Sequence, residues 1–213
     1  MDFQGVFFDF DGVILDSVQV KTEAFAAMFS SYGPEVEKQV VAYHLANGGM
    51  SRFEKFSYFY QSLLNSSVSP AELTSLCEKF SDLVLEKVIR SPFINGAMEV
   101  LTELKKTSTP AFVVSGTPDL EIKLIVKRKN LESYFNEVHG SPRHKEEIVA
   151  EILHKTNFSP PRCLFIGDAM SDYDAARITG TNFLGIVPKG GNSPFPAGCL
   201  TSPSVALHAQ LVK

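Results

Sequence analysis

The stretch VFFDFDGVILDS, residues 6 to 17, constrains this chain more than any other. It begins as a buried strand and then sets two aspartates, Asp9 and Asp11, among its phenylalanines. In an extended segment side chains alternate between faces, so Asp9 and Asp11 share one side while Phe8 and Phe10 take the other. An ionised carboxylate buried without a partner is strongly unfavourable. A cation is therefore expected over the end of this strand.

Apolar runs at 5–10 (GVFFDF), 110–115 (PAFVVS), 162–167 (RCLFIG) and 182–187 (NFLGIV) are nearly continuous rather than alternating. That pattern marks strands covered on both faces of a parallel sheet. Helical patterns over 97–106, 119–129, 145–155 and 171–179 separate the later strands, and 137–140 adds a shorter strand. Strand and helix alternating at this spacing predict an α/β fold, a Rossmann-like parallel sheet with helices on both faces. Residues 17–90 are different, being helical in pattern throughout. Ser17 or Asp16 can cap a first helix ending near Gly33-Pro34, and Gly48-Gly49 breaks the pattern again. A later helix opens with Ser69 as cap, Pro70 at its first position and Glu72 three residues after the cap. The expected division is an α/β core of residues 1–16 and 91–213 carrying an inserted all-α helical-bundle cap at 17–90. Sites of open sheets lie at the carboxyl ends of the strands, so the insert is expected to act as a lid there.

Composition narrows the function classes. With 20 Lys+Arg against 24 Asp+Glu, a net charge of -4 and no basic tail, the chain is a poor fit to nucleic acid or an anionic membrane. Met1 to Gly5 run straight into the first strand without a basic-then-apolar leader pattern, and no apolar run reaches the ~18 residues needed to span a bilayer. Cys77, Cys163 and Cys199 are odd in number and lack C-x-x-C spacing, which fits a reduced, cytoplasmic setting. Nothing points to an obligate protein partner. The histidines show no H-E-x-x-H or H-x-x-x-H spacing, so zinc catalysis has no support.

Chemistry-bearing residues gather where apolar runs stop: Asp9-Phe10-Asp11-Gly12, Ser115-Gly116-Thr117, Lys145 within GSPRHKEEIV, and Asp168 with Asp172 in FIGDAMSDYDAA. These four segments, in this order, resemble the haloacid dehalogenase superfamily, in the branch whose helical cap lies between the first and second motifs. DFDGVILDS is similar to that family's D-x-D-G-[TV]-x-x-D-S opening, VVSG to its strand ending in Ser or Thr, GSPRHK to its lysine loop, and FIGDAMSD to its G-D-x-x-x-D ending. The resemblance implies that Asp9 and Asp168 bind Mg²⁺ together with the backbone carbonyl of Asp11, with Asp172 a further ligand or a support for one. Read from the residues alone, Asp172 can equally cap the following helix.

The same resemblance implies roles. Asp9 is the nucleophile that forms an aspartyl-phosphate, and Asp11 is the acid and base serving the leaving group and water. Ser115 and the Gly116 N–H hold phosphoryl oxygens, and Lys145 is the positive charge beside the nucleophile. Asp11 favours phosphoryl transfer over carbon–halogen cleavage, since an alkoxide needs a proton and a halide does not. The expected activity is thus a Mg²⁺-dependent phosphatase acting on a small phosphorylated metabolite. NGGMSRFEKF resembles the cap loop whose arginine meets a substrate anion, making Arg52 a substrate-contact candidate, with Lys21 of the hinge-proximal helix a second. A basic cap group would suit a carboxylate or second phosphate on a small sugar or acid; ordinary solvated charges are the alternative. A sugar phosphomutase of the same family is the rival activity, although Lys21 stands where such mutases carry a histidine. A catalytically silent binding protein on the same scaffold is the rival from another class.

Overall fold

The computed structural model describes residues 3–205. Strands β1 (Gly5–Phe8), β2 (Ala111–Pro118), β3 (Glu137–Ser141), β4 (Cys163–Gly167), β5 (Asn182–Ile186) and β6 (Thr201–Ser202) form one sheet in the order β3-β2-β1-β4-β5-β6. Every neighbouring pair is parallel. The chain works outward from β1 through β2 to β3 and then returns to place β4 on the other side of β1. That reversal opens a crevice at the carboxyl ends of β1 and β4.

Alternation along the strands explains their apolar runs. Val6 and Phe8 pack into one cluster with Leu101 and Leu104 of α5 (Ala97–Lys106) and Ile122 and Val126 of α6 (Asp119–Arg128). Phe7 faces the opposite way, its ring 5.2 Å from Phe112 and 6.3 Å from Phe165. There it lies with Ile148 and Ile152 of α7 (Lys145–Thr156) and Ala175 of α8 (Met170–Thr179). Both faces of the central strands β1 and β4 are covered by helices, so these strands are buried at every position. Nearer the edges, β3 and β5 keep half-buried or exposed polar residues such as Glu137 and Asn182.

Two strand ends differ from expectation. β1 stops at Phe8, before the aspartates, although the Asp9 N–H still donates to the Ile166 carbonyl at 2.9 Å. The chain then tightens: the N–H groups of Ile14 and Leu15 both donate to the Phe10 carbonyl, and Gly12 takes φ +77. Asp9 and Asp11 are therefore placed by a turn rather than by strand alternation. β2 runs past Ser115 to Pro118, and its register with β3 breaks between Val114 and Pro118. Such an irregularity re-aims side chains at a strand end. The short β6 carries no apolar run and left no signal in the sequence.

Between β1 and β2 lie α1 (Val18–Phe29), α2 (Pro34–Ala46), α3 (Arg52–Tyr58), a π-helical turn at Phe59–Leu63, and α4 (Pro70–Arg90). Ser51 and Ser69 each close a reciprocal cap with the glutamate three residues on, Glu54 and Glu72. Each satisfies two backbone donors that a helix start leaves orphaned. Ser17 sits at the N-cap of α1 but makes no side-chain cap bond; its hydroxyl is used elsewhere. Phe25 anchors the helices, with the rings of Phe80, Phe56 and Phe59 at 4.3, 5.5 and 5.6 Å. This aromatic cluster is continuous with the sheet's core through Phe10, Val13, Ile14 and Leu15. Cys77 and Cys163 are free and buried, and Cys199 is free and partly exposed. Among the described residues no helix is long and apolar enough to cross a membrane.

Candidate active site

Three acids meet where β1 and β4 end. One carboxylate oxygen from each of Asp9, Asp168 and Asp172 lies within 4.8 Å of the others. Asp9 follows β1 and Asp168 follows β4, and those strands are hydrogen-bonded neighbours, so the sheet itself brings the two acids together. Asp172 lies inside α8, fully buried. Its Oδ2 accepts from the N–H of Ala169, the N-cap residue, at 3.1 Å, and its Oδ1 accepts from Lys145 Nζ at 2.6 Å. It is therefore not the helix cap that its spacing allowed; it reaches back to the cap residue from the first turn.

Lys145, at the start of α7, is the cation the strand end required. Its Nζ stands 3.1 Å from Asp9 Oδ1, and the side chain is 5% exposed. Burial would lower its pKa, but Asp172 and Asp9 outweigh that and hold it above the ordinary value. One lysine does not balance the acids. Burial raises the Asp9 pKa to about 7; Lys145 opposes this, while Asp172 and Asp11 add to it. Asp168 is raised as well, by burial and then by Asp9 and Asp172.

These residues fit a divalent metal by an observation independent of any resemblance. Asp9 Oδ1 is buried and receives no well-directed hydrogen bond, despite the nearby ammonium. A hard cation with oxygen ligands is the partner that buried, mutually repelling carboxylates lack. Gly12 makes room for the arrangement: a Cβ built there would stand 2.2 Å from Asp168 Oδ2, so a side chain would displace the carboxylate.

Asp11 has a separate environment. Ser17 Oγ donates to its Oδ1 at 2.5 Å, Thr117 Oγ1 donates to its Oδ2 at 3.0 Å, and Lys21 Nζ pairs with the same Oδ2. Lys21 also donates to Thr117 Oγ1 at 2.7 Å. Burial raises the proton affinity of Asp11, but the Lys21 charge and the bonds from Lys21, Ser17 and Thr117 win, leaving it below the usual carboxylate range. Ser17 and Thr117 serve Asp11 in a way that no local pattern signals: the spacing of Ser17 fits a helix cap, and Thr117 simply follows the strand end. Ser115 is buried, and its Oγ accepts from the Thr117 N–H at 3.1 Å.

One cavity of about 120 Å³ is lined by Asp9, Asp11, Gly116 and Asp168 from the sheet side and by Lys21, His44, Arg52 and Lys55 from the helices. Gly48 and Gly49, read as a plain turn, press this wall onto the sheet. Ser171 Oγ donates to the Gly48 carbonyl at 3.1 Å, and a Cβ on Gly116 would stand 2.3 Å from the Gly49 carbonyl oxygen.

Arg52 lines the cavity with its charge already neutralised. It forms two hydrogen bonds to Glu121 of α6, at 2.6 and 2.9 Å, and another to Ser81 at 2.6 Å, with Phe80 4.6 Å from the guanidinium. Both partners are buried, at 4% and 7% exposure. Neither the solvated charge nor the open anion contact expected from the sequence describes it. Breaking a buried, hydrogen-bonded ion pair from one side leaves the other charge stranded. Glu121→Gln is therefore expected to lower stability by about 3–5 kcal/mol, read as a fall in the urea midpoint at unchanged slope.

A sequence profile described as haloacid dehalogenase-like hydrolase matches residues 6–186. The 2-hydroxy-3-keto-5-methylthiopentenyl-1-phosphate phosphatase of Microcystis aeruginosa is 26% identical over 186 residues, covering 81% of this chain and 80% of that protein. Phosphoglycolate phosphatase 1 of Pseudomonas aeruginosa is 23% identical over 181 residues, covering 82% of this chain and 66% of that protein. Among solved structures, the beta-phosphoglucomutase of Clostridium difficile superposes with a TM-score of 0.78 at 17% identity, covering 98% of this chain and 94% of that one. At that identity the likeness speaks for the fold alone.

Proposed function

Since the chain belongs to the haloacid dehalogenase-like hydrolases, we propose that it is a Mg²⁺-dependent phosphatase of small phosphorylated metabolites, working through an aspartyl-phosphate on Asp9. The observation that carries this reading is the placement of Asp9: buried at the end of β1, beside Lys145, among carboxylates within 4.8 Å of one another. Phosphatases among the relatives, acting on phosphorylated small molecules by their names, support the reaction class.

Mg²⁺ would be held by Asp9 and Asp168, with the Asp11 carbonyl, and would neutralise charge on the acids and the phosphoryl oxygens. Asp172 would hold Lys145 through Oδ1 and would complete the acid cluster around the metal as a further ligand or as the support of one. Lys145 would keep Asp9 oriented and deprotonated for attack on phosphorus, the bond to the ester oxygen breaking as the Asp9 oxygen bonds. Ser115 and the Gly116 N–H would receive the phosphoryl oxygens. In the unliganded protein Lys21 keeps Asp11 ionised. A phosphate dianion arriving beside Asp11 raises its proton affinity, which suits it to protonate the leaving alkoxide and then take a proton from water. Residues 17–90 would act as a cap, excluding water while Arg52 and Glu121 tie it to the core.

The test is phosphate release from a panel of phosphorylated sugars and acids and from p-nitrophenyl phosphate. Release is expected with Mg²⁺ and is expected to fall by at least ~10²-fold when a chelator removes the metal. Hydrolysis unaffected by chelation would remove the metal from the reading. Isomerisation of a hexose phosphate without free phosphate would assign a mutase instead, and a folded protein that processes nothing would revive the silent scaffold.

A further inference from the structure

We propose that Lys55 and His44 recognise a second anionic group of the substrate, so that the preferred phosphomonoester carries a carboxylate or a further phosphate at the end remote from the transferred phosphoryl group. The inference rests on the phosphatase reading for where the first phosphate sits. Each of the other cations lining or bordering the cavity has a carboxylate: Lys21 has Asp11, Lys145 has Asp9 and Asp172, and Arg52 has Glu121. Lys55 is 3% exposed, and its described hydrogen-bond partner is His44 Nδ1 at 3.0 Å. The ring of Phe25 stands 5.8 Å from its Nζ. An ammonium placed against an imidazole and a phenyl ring has lost its water without gaining a counter-charge.

His44 carries the same message. With Lys55 as the ammonium, which has only donors, Nδ1 accepts from it and the imidazole proton sits on Nε2. That Nε2 is buried with no hydrogen-bond partner, in a side chain 6% exposed. Burial, then Lys55 and Lys21, lowers the His44 pKa to about 3 against a weaker pull from Asp11, so the ring is neutral. Burial, with Lys21 and Lys145, likewise lowers the Lys55 pKa to about 7, against Asp11 and Asp168. An apolar residue at position 55 would fill the same space without this penalty. A buried ammonium and a buried N–H, both short of acceptors and both lining the cavity that holds Asp9, are matched by an anion. With Arg52 committed to Glu121, this pair is the positive wall left for the substrate's far end.

The experiment measures binding, not turnover, by calorimetry on the full chain bearing Asp9→Asn, with Mg²⁺ present. The probes are phosphoglycolate, with a carboxylate tail, propanediol bisphosphate, with a phosphate tail, and ethyl phosphate, with an uncharged tail. One charged tail is expected to bind about tenfold or more tightly than ethyl phosphate, and the tighter of the two identifies the anion. Adding Lys55→Met, or Lys55→Gln where Met does not fold, is expected to erase that advantage. Equal affinities for the three probes, an advantage that survives the Lys55 substitution, or an equal loss for all three would overturn the proposal. A wild-type chain that hydrolyses nothing would sink the phosphatase reading while leaving the tail preference to be measured.

Discussion

Asp9→Asn is expected to reduce turnover by at least ~10⁴-fold while the protein remains folded, because an amide cannot attack phosphorus and no neighbouring group can replace it. Asp11, held by Ser17, Thr117 and Lys21, faces a different set of partners. Asp172 is engaged on both oxygens. Folding should not suffer. The Asp9 pKa is raised from 3.8 to about 7 in the folded protein. The folded state therefore holds this proton more tightly than the unfolded one. The stability this contributes is present below 3.8 and is lost as pH rises toward 7. At neutral pH and without metal, the ionised side chain is thus a net burden, and the amide removes it. The thermal midpoint of metal-free Asp9→Asn at pH 7.5–8 (on the order of one unit above the folded pKa) is expected to match or exceed that of the wild type. Retained turnover would take Asp9 out of the nucleophile's role, and a much lower midpoint would show that the ionised carboxylate supports the metal-free fold.

Asp11→Asn is expected to separate leaving groups. General acid catalysis contributes about 10²–10⁴-fold, so kcat/KM for an alkyl phosphate should fall within that range. p-Nitrophenyl phosphate, whose leaving group needs no proton, should lose far less in its first step. The structure sharpens the reason. Asp11 in the unliganded protein is ionised beside Lys21 and cannot yet donate. It becomes an acid only when the incoming dianion raises its proton affinity. The asparagine keeps a carbonyl for Ser17 or Thr117 to donate to but strands the Lys21 charge, so the thermal midpoint should fall as well. The alkyl-to-aryl ratio, rather than the absolute loss, reports the proton transfer. Equal slowing of alkyl and aryl substrates would show that Asp11 positions other groups and transfers no proton.

Much of the fold was legible because its signals are local. Continuous apolar runs marked the strands covered on both faces, and Ser69-Pro70 with Glu72 marked a helix start that the structure reproduces as a reciprocal cap. Where the structure departs, tertiary contacts are the cause. Ser17 reads as a helix cap until Asp11 is brought within 2.5 Å of its hydroxyl. The two aspartates read as strand residues until Gly12 turns the chain at φ +77 and lets Asp168 lie against it. Gly48-Gly49 reads as a turn until the sheet side presses on it through Ser171 and Gly116.

By itself the sequence determined which chemical groups stand at the strand ends, in what order, and that a positive charge had to reach the first of them. Periodicity and turn residues act over a few neighbours, and they are enough to specify strands, helices and the loops between them. Only the folded chain decided which charge meets which. Lys21 faces Asp11, Arg52 faces Glu121, and Lys55 faces His44 instead of an acid. The Arg52–Glu121 pair joins α3 to α6 across 69 positions and depends on how the helices dock over the sheet, while Lys55 and His44 meet between the consecutive helices α3 and α2. The energy of a buried charge is set by its surroundings in space.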